Sequence, residues 1–414
     1  MTKFLFTMLP ANDLGLPTRM VPIARALADR GHQVAVFNPA PAPAKLIAEA
    51  GLLNLPMPSR SMPPISGDFA RGSAAWDVEE LFAGLYSDET FVSGATAVYL
   101  DLIRDYAPDV VVDSFDLIAC LTTRILKVPL VTVLQGNFHP ASHGFLWWET
   151  QRPHQLPGAA PFINKVAAEH SLPPVARCVD YMAGDLSLIV GTPETDPLPS
   201  TANVTHVGPI VWQRGNAALP DWLASLPKDK PLIWVYSGNP RYGSSPNPFD
   251  SIIVIRTVIA ALGDAPVQVV LTTGHQELPE EFAVLPANFR HLAYLPGPAM
   301  AARADLMVHH GGHSSVMASL LAGTPAVIIP TSTERESNAR RLTAVGAGEI
   351  VKPVNGDDGE KHIDVADFRA KVNRVVQEPG YRSCAQRMAA SMRQYGGASE
   401  AADRIERFAR SIAA

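Results

Sequence analysis

Cysteine is nearly absent. Cys120, Cys178 and Cys384 are the whole complement of the 414 residues, odd in number, far apart and mostly set among apolar neighbours. That excludes a disulfide framework and reads as reduced, buried thiols. No strong charge of either sign is present: 40 acidic against 34 basic side chains leave a formal charge of −6, which points away from nucleic acid or an acidic membrane as a partner. No apolar run reaches the roughly 20 residues that a membrane span needs. The opening MTKFLFTMLP breaks at Pro10 before it is long enough for a secretion signal. No Walker loop and no GxGxxG occurs. The expected setting is the cytoplasm. Hydrophobic residues at 47% and charged residues at 18% supply ample core, and the length asks for two domains of about 200 residues.

What is present concentrates between Leu306 and Gly348. Leu306 to Val308 is a short apolar run, His309, His310, Gly311 and Gly312 form a turn, and Val316, Leu320 and Leu321 mark one face of a helix entered at Ser314. Ser314 or Ser315 is expected to cap that helix. The two glycines let the backbone approach a ligand closely, and first-turn amides at the positive end of the helix dipole invite an anion. Gly323-Thr324-Pro325 leads to a second apolar run, Ala326 to Ile329, closed by Pro330, then a polar loop Thr331 to Glu336 and a helix from Ser337 through Gly346. Consecutive strand–loop–helix units of a parallel sheet bring both loops to one carboxyl edge, so the two face one ligand.

The same alternation fills the rest of the chain and predicts an α/β fold with parallel sheets covered on both faces. Phe4 to Met8 and Gln33 to Asn38 are strands around a helix from about Thr18 to Gly31, and the loop between, Leu9 to Pro17, carries turn residues including Asp13. Val110 to Asp113 ends a strand, Leu117 to Lys127 is a helix, and Pro129 to Leu134 is the next strand. Residues 135 to 157 read as a long irregular segment with apolar side chains to hide, Phe138, Phe145, Trp147 and Trp148 among them, and such loops serve binding. His139 and His143 have metal-like spacing, but Pro140 and Gly144 argue against the helix that would align them, so no metal site is expected. Helical patterns run from about Pro161 to Gly184, and Ile210 to Pro220 is the best linker. Leu232 to Tyr236 opens the second domain as a strand followed by Ser237-Gly238-Asn239-Pro240, and Val365 to Ala414 is helical with a break at Gly396-Gly397.

His310-Gly311-Gly312 with Ser315, then Gly323-x-Pro325, Pro330, an acidic residue at 334, Asn338-Ala339 and Gly346-x-Gly348 resemble the donor-binding signature of the family-one glycosyltransferases, especially the macrolide and antibiotic type. The resemblance implies a GT-B architecture: two Rossmann-like domains facing a cleft, with an acceptor domain at 1–212, a nucleotide-sugar domain at 213–390 and a final helix at 391–414 crossing back to the first. It implies an inverting, metal-independent transfer of a sugar from a nucleotide diphosphate to a small, largely apolar acceptor, with no cofactor beyond the co-substrate. A homodimer is compatible with it. A catalytically silent nucleotide-sugar-binding protein is the alternative. By the same resemblance Gly238, Asn239, His310, Gly311, Gly312, His313, Ser314 and Ser315 meet the diphosphate, Glu334, Arg335 and Asn338 meet the sugar, and Leu16, Phe138, His139, Phe145 and Trp147 shape the acceptor pocket.

The chain departs from the family pattern at several points. The catalytic His of the first loop is replaced by Leu16, while Asp113 of Asp113-Ser114-Phe115, the usual partner of that His, remains. Asp13 or Asp113 then acts as the base directly, or the base comes from elsewhere, His139 included. Each aspartate also reads as a turn former or helix cap. Ser314, Ala318, Arg335 and Gly297 replace an asparagine, a ribose-binding glutamate and two glutamines. Arg335 either binds an anionic group or pairs with Glu334 or Glu336.

Overall fold

Short runs rich in Val, Ile, Leu and Phe, buried on both sides, form the strands of two all-parallel sheets, and apolar stripes at helical spacing cover them. The computed structural model describes residues 1–63, 74–145, 158–212, 218–238, 251–356 and 361–413. The chain divides into two compact units, one of Met1–Trp212 with Tyr395–Ala414 and one of Gln213–Gln394.

In the first unit, β1 (Lys3–Met8), α1 (Pro17–Asp29), β2 (Gln33–Phe37), α2 (Pro41–Glu49) and β3 (Leu53–Asn54) are followed by α3 (Val78–Tyr86), α4 (Glu89–Tyr106), β4 (Val110–Ser114), α5 (Leu117–Ile125), β5 (Leu130–Leu134), α6 (Ala160–Glu169), β6 (Leu186–Ile189) and β7 (Thr205–His206). The sheet order is β3-β2-β1-β4-β5-β6-β7. Its direction reverses between β1 and β4, and the crevice at such a switch point is where open α/β sheets bind ligands. Asp77, Asp88 and Asp116 cap α3, α4 and α5 with their carboxylates. The helical reading of Pro161 to Gly184 is corrected. Only Ala160–Glu169 is α-helix, and Cys178–Met182 is a 3₁₀ turn after a stretch interrupted by Pro173 and Pro174.

The second unit contains β8 (Leu232–Tyr236), α7 (Ile252–Leu262), β9 (Gln268–Thr272), β10 (Phe289–Leu292), α8 (Gly297–Arg303), β11 (Leu306–His309), α9 (His313–Ala322), β12 (Ala326–Ile328), α10 (Thr333–Ala344) and β13 (Gly348–Ile350). A small antiparallel pair, β14 (Val354–Asn355) with β15 (Lys361–His362), precedes α11 (Val365–Gln377) and α12 (Pro379–Met392). The main sheet runs β10-β9-β8-β11-β12-β13 and reverses between β8 and β11. Two helix starts are corrected. α10 opens at Thr333, capped by Ser332, whose Oγ accepts from Arg335 N at 3.4 Å, so Glu334 and Arg335 sit in a first helical turn and not in a loop. α9 opens at His313 with Gly312 as its N-cap and no side-chain cap, so Ser314 and Ser315 are first-turn residues.

The last helix, α13 (Ala398–Ala413), belongs to the first unit. Ala401, Ala402, Ile405 and Ala409 join the apolar cluster that holds Met20, Ile23 and Leu27 of α1. Arg30 reaches Asp403 at 2.7 Å, and His32 Nε2 lies 3.3 Å from Glu406, which gives His32 a structural place. No helix among the described residues is long and apolar enough to cross a membrane.

Candidate active site

In the second unit the switch point is lined by the turn after β8 and the turn after β11. His310 fills the space between them. A Cβ on Gly238 would lie 3.0 Å from its Nδ1, and one on Gly312 would lie 2.7 Å from its Nε2. Only glycine at both positions leaves room for the ring. Its edge meets Tyr236 at 5.6 Å between centroids. The side chain is 8% exposed, and its Nδ1 is buried without a hydrogen-bond partner. Burial foremost, then the Arg335 guanidinium and His309, push its pKa well below the usual imidazole value, so the ring is neutral at physiological pH. His309 is held down to about 3 by burial, and its Nδ1 accepts from Gly311 N at 3.2 Å.

Gly311 has φ +89°, and a Cβ there would come within 2.7 Å of the Arg335 carbonyl oxygen. Here both conformation and close approach require glycine. The first turn of α10 thus rests directly against the turn before α9. Asn338, buried, bridges them: its Nδ2 donates to Gly311 O at 3.1 Å and to Glu334 Oε1 at 2.7 Å. Arg335 Nη1 donates to Thr331 Oγ1. Glu336 bonds Arg340 and Lys352. Gly238, His310, Gly311, Gly312, Glu334, Arg335 and Asn338 are therefore gathered at one carboxyl edge, together with the α9 N-terminus that carries His313, Ser314 and Ser315. Asn239 lies outside the described residues. Sequence reasoning passed over Tyr236 and Thr331, which back the site; neither carries a motif that singles it out.

At the corresponding edge of the first unit the structure separates the expected residues. Asp113 is 0% exposed. Its Oδ1 accepts from Thr7 Oγ1 at 2.7 Å, across the β1–β4 register, and its Oδ2 accepts from Asp116 N at 3.0 Å and Cys120 Sγ at 3.3 Å. Burial raises its pKa well above the usual carboxylate value, and Asp116 adds to the rise. Asp116 in turn accepts from Tyr99 OH and caps α5. Asp113 as direct base is corrected: its oxygens are enclosed and engaged, so no acceptor touches them. Asp13 is half-buried on the β1 loop, with Oδ1 accepting from Gly15 N at 2.8 Å. Leu16, half-buried just before α1, packs against the apolar clusters on both faces of the sheet.

Phe138 stacks on Phe115 at 3.8 Å between centroids, and Phe115 packs on Phe82 at 5.1 Å. Phe115 adopts φ +66°, a conformation that an aromatic residue holds only where its surroundings enforce it. Nothing in the sequence signalled it. Phe145 as a pocket residue is corrected: it is wholly enclosed in the core. Trp147 lies outside the described residues. His139, at the end of the short turn after β5, is 7% exposed.

Comparison with known proteins places this geometry. Residues 256–408 match the family of the erythromycin biosynthesis protein CIII-like C-terminal domain. The chain is 26% identical over 320 residues to a PGL/p-HBAD biosynthesis glycosyltransferase of Mycobacterium tuberculosis, covering 70% of this chain and 68% of that protein. It is 24% identical over 411 residues to the 3-alpha-mycarosylerythronolide B desosaminyl transferase of Saccharopolyspora erythraea, covering 89% and 90%. The solved structure of the spinosyn forosaminyltransferase SpnP superposes with a TM-score of 0.72 at 20% identity, covering 99% of each chain, a likeness of fold. Both units carry the parallel α/β plan of the GT-B enzymes.

Proposed function

We propose that this chain, a nucleotide-sugar glycosyltransferase resembling the antibiotic-type family-one enzymes, transfers a sugar with inversion, without a metal, to a small and largely apolar acceptor held by its first unit. The observation that carries the reading is His310. A neutral, nine-tenths buried imidazole with an unpartnered Nδ1, seated between two glycines beside an uncapped helix N-terminus, is a site built for a group that is itself hydrogen-bonding and anionic.

In this reading His310 and the amides from Gly312 to Ser315 bind the diphosphate. They act through neutral donors and the helix dipole, so negative charge that develops on the leaving group meets fixed partners. Glu334 accepts from sugar hydroxyls, oriented by Asn338, and Arg335 adds positive charge beside the diphosphate. The acceptor oxygen attacks the anomeric carbon from the face opposite the nucleotide, the carbon–oxygen bond to the diphosphate breaks, and the acceptor proton leaves to a base. Asp13 is assigned that base. Asp113 is assigned a positioning role, fixing the β4–α5 corner beneath Phe115.

Thermal stabilisation by uridine, deoxythymidine and guanosine diphosphates tests the donor half. Saturation at about 100 times the dissociation constant adds about 2.7 kcal/mol. A labelled donor tested on an acceptor panel, with Asp13→Asn in parallel, tests transfer. Stabilisation without label on any acceptor returns the silent, nucleotide-sugar-binding alternative. No stabilisation by any nucleotide removes the donor site itself.

A further inference from the structure

We infer that His139 is an acceptor-recognition residue that works as a hydrogen-bond donor, its Nε2–H taking a carbonyl oxygen on the apolar acceptor. This rests on the proposed transfer and specifies the acceptor's class: an apolar ring system that carries a carbonyl-type oxygen apart from the hydroxyl to be glycosylated.

The tautomer decides the role. The backbone N–H of Ala141 points at His139 Nδ1 at 3.1 Å. A backbone N–H only donates, so Nδ1 presents its lone pair and the ring proton sits on Nε2. Burial holds the pKa down to about 4, so the ring takes no second proton at neutral pH. Neutral, with Nδ1 occupied, His139 has no lone pair to accept the acceptor's proton. The residue that replaces a missing base in a simple reading of the sequence is a donor instead.

Its surroundings fix it in that role. Ser142 N donates to His139 O at 2.9 Å, and Arg177 Nη2 donates to Pro140 O at 2.9 Å, so the turn is pinned on both sides of Ala141. The ring is 7% exposed, yet no described residue bonds Nε2. Nε2 is not one of the enclosed unpartnered atoms, so a ligand oxygen there replaces water and adds the net worth of one hydrogen bond, about 0.5–1.5 kcal/mol. The neighbour in sequence is Phe138, stacked on the strained Phe115 at the carboxyl end of the adjacent strand. A polar N–H beside an aromatic wall suits a flat apolar molecule with one oxygen at its edge.

Two acceptors and two variants test this. The probes are 6-acetyl-2-naphthol, which carries the carbonyl, and 6-ethyl-2-naphthol, which lacks it. The wild type is expected to favour the acetyl compound about tenfold in kcat/KM, carried by KM, the size of one hydrogen bond to a neutral oxygen. His139→Leu abolishes the preference. His139→Gln, whose amide N–H stands near the Nε2 position, keeps most of it. A base at this position instead lowers kcat on both naphthols in both variants, by roughly 100-fold or more, and overturns the inference. So does a His139→Leu enzyme that retains the wild-type preference. Stabilisation by the nucleoside diphosphate, a property of the second unit, is read in every variant. A wild type that uses neither naphthol but keeps that stabilisation overturns the acceptor class alone. A wild type stabilised by no nucleotide overturns the transfer reading beneath it.

Discussion

The two units reverse strand order at one point each, β1 against β4 and β8 against β11, and both bury polar groups beside that point. What they bury differs in kind. The first unit encloses two carboxyls, Asp113 and Asp116, with Thr7, Tyr99 and Cys120 donating to them. The second encloses two imidazoles, His309 and His310, each with one nitrogen unpartnered. A satisfied network holds a corner of the fold, whereas an unsatisfied one waits for a ligand. The difference teaches where unmet hydrogen-bonding capacity resides: the glycine turn of the second unit leaves imidazole nitrogens without partners, while the Asp113 corner of the first unit is closed.

The largest effect that breaks this comparison is expected at Gly311. A Cβ there meets both a left-handed φ, costing about 1–2 kcal/mol, and the Arg335 carbonyl oxygen at 2.7 Å. Gly311→Ala pushes α10 off the turn and is expected to abolish the nucleotide-induced thermal shift of the second unit. A shift that survives would mean that the turn does not hold the diphosphate.

Next in size is a pair of variants that separates the buried chemistries by pH. Asp113 keeps its proton in the folded state to a higher pH than it does unfolded, so its contribution is full below the ordinary carboxylate pKa and is lost as pH rises. Asp113→Asn turns its NH2 group either toward Thr7 or toward the Asp116 N–H and Cys120, keeping an acceptor on the other side, and is expected to cost about 1–3 kcal/mol. That deficit grows between pH 7 and pH 4. His309 refuses a proton until about pH 3, while the unfolded chain binds it near 6.5, so its contribution falls over the same acidification. His309→Asn, which keeps an acceptor for Gly311 N, is expected to show a deficit that shrinks from pH 7 to pH 4. Calorimetric scans across this range check the two slopes, and slopes of the same sign would erase the distinction between the units.

A smaller effect sharpens the donor side. Asn338→Ala removes both bonds from one amide, to Gly311 O and Glu334 Oε1. The expected result is a roughly tenfold weaker donor, since one to two neutral or singly charged bonds of this kind are worth about 1–2 kcal/mol. Titration calorimetry with the nucleotide sugar and with the bare diphosphate measures it. The loss should be greater for the sugar conjugate, because Asn338 holds the Glu334 carboxylate.

The sequence made the glycine turn legible because glycine is chemically explicit: Gly311 and Gly312 stand together before a helix, and the structure supplies the reason in the ring of His310 and the carbonyl of Arg335. The parallel strands were legible from their apolar runs. Helix starts were not. Thr331 to Glu336 has the composition of a loop, yet Ser332 caps a helix whose first turn is charged because acidic residues suit the dipole there. Residues 39–109, with α2, α3 and α4, offered weak periodicity and went unread. The acceptor side was least legible. Burial of Asp113 and Phe145 depends on neighbours remote in sequence, Thr7 and Trp76, and the tautomer of His139 on the local geometry of the turn at Ala141, which composition does not reveal.

The smallest expected effect concerns Leu16. Restoring histidine there recreates half of the usual base and partner pair, and the resemblance alone would forecast a gain. The structure forecasts none, because both oxygens of Asp113 are already committed to Thr7, Asp116 and Cys120 and the carboxyl is fully enclosed. A histidine at 16 would have no carboxylate to orient it or to stabilise its protonated form. Half-buried Leu16 also packs on both apolar clusters, so the substitution removes some packing. Leu16→His is expected to change kcat by no more than about threefold, the scale of a half-exposed substitution. A functioning general base adds roughly 100-fold or more. Initial rates with a labelled donor and an excess of acceptor decide between them, and a gain on the larger scale would show that the first unit carries a catalytic dyad in reserve.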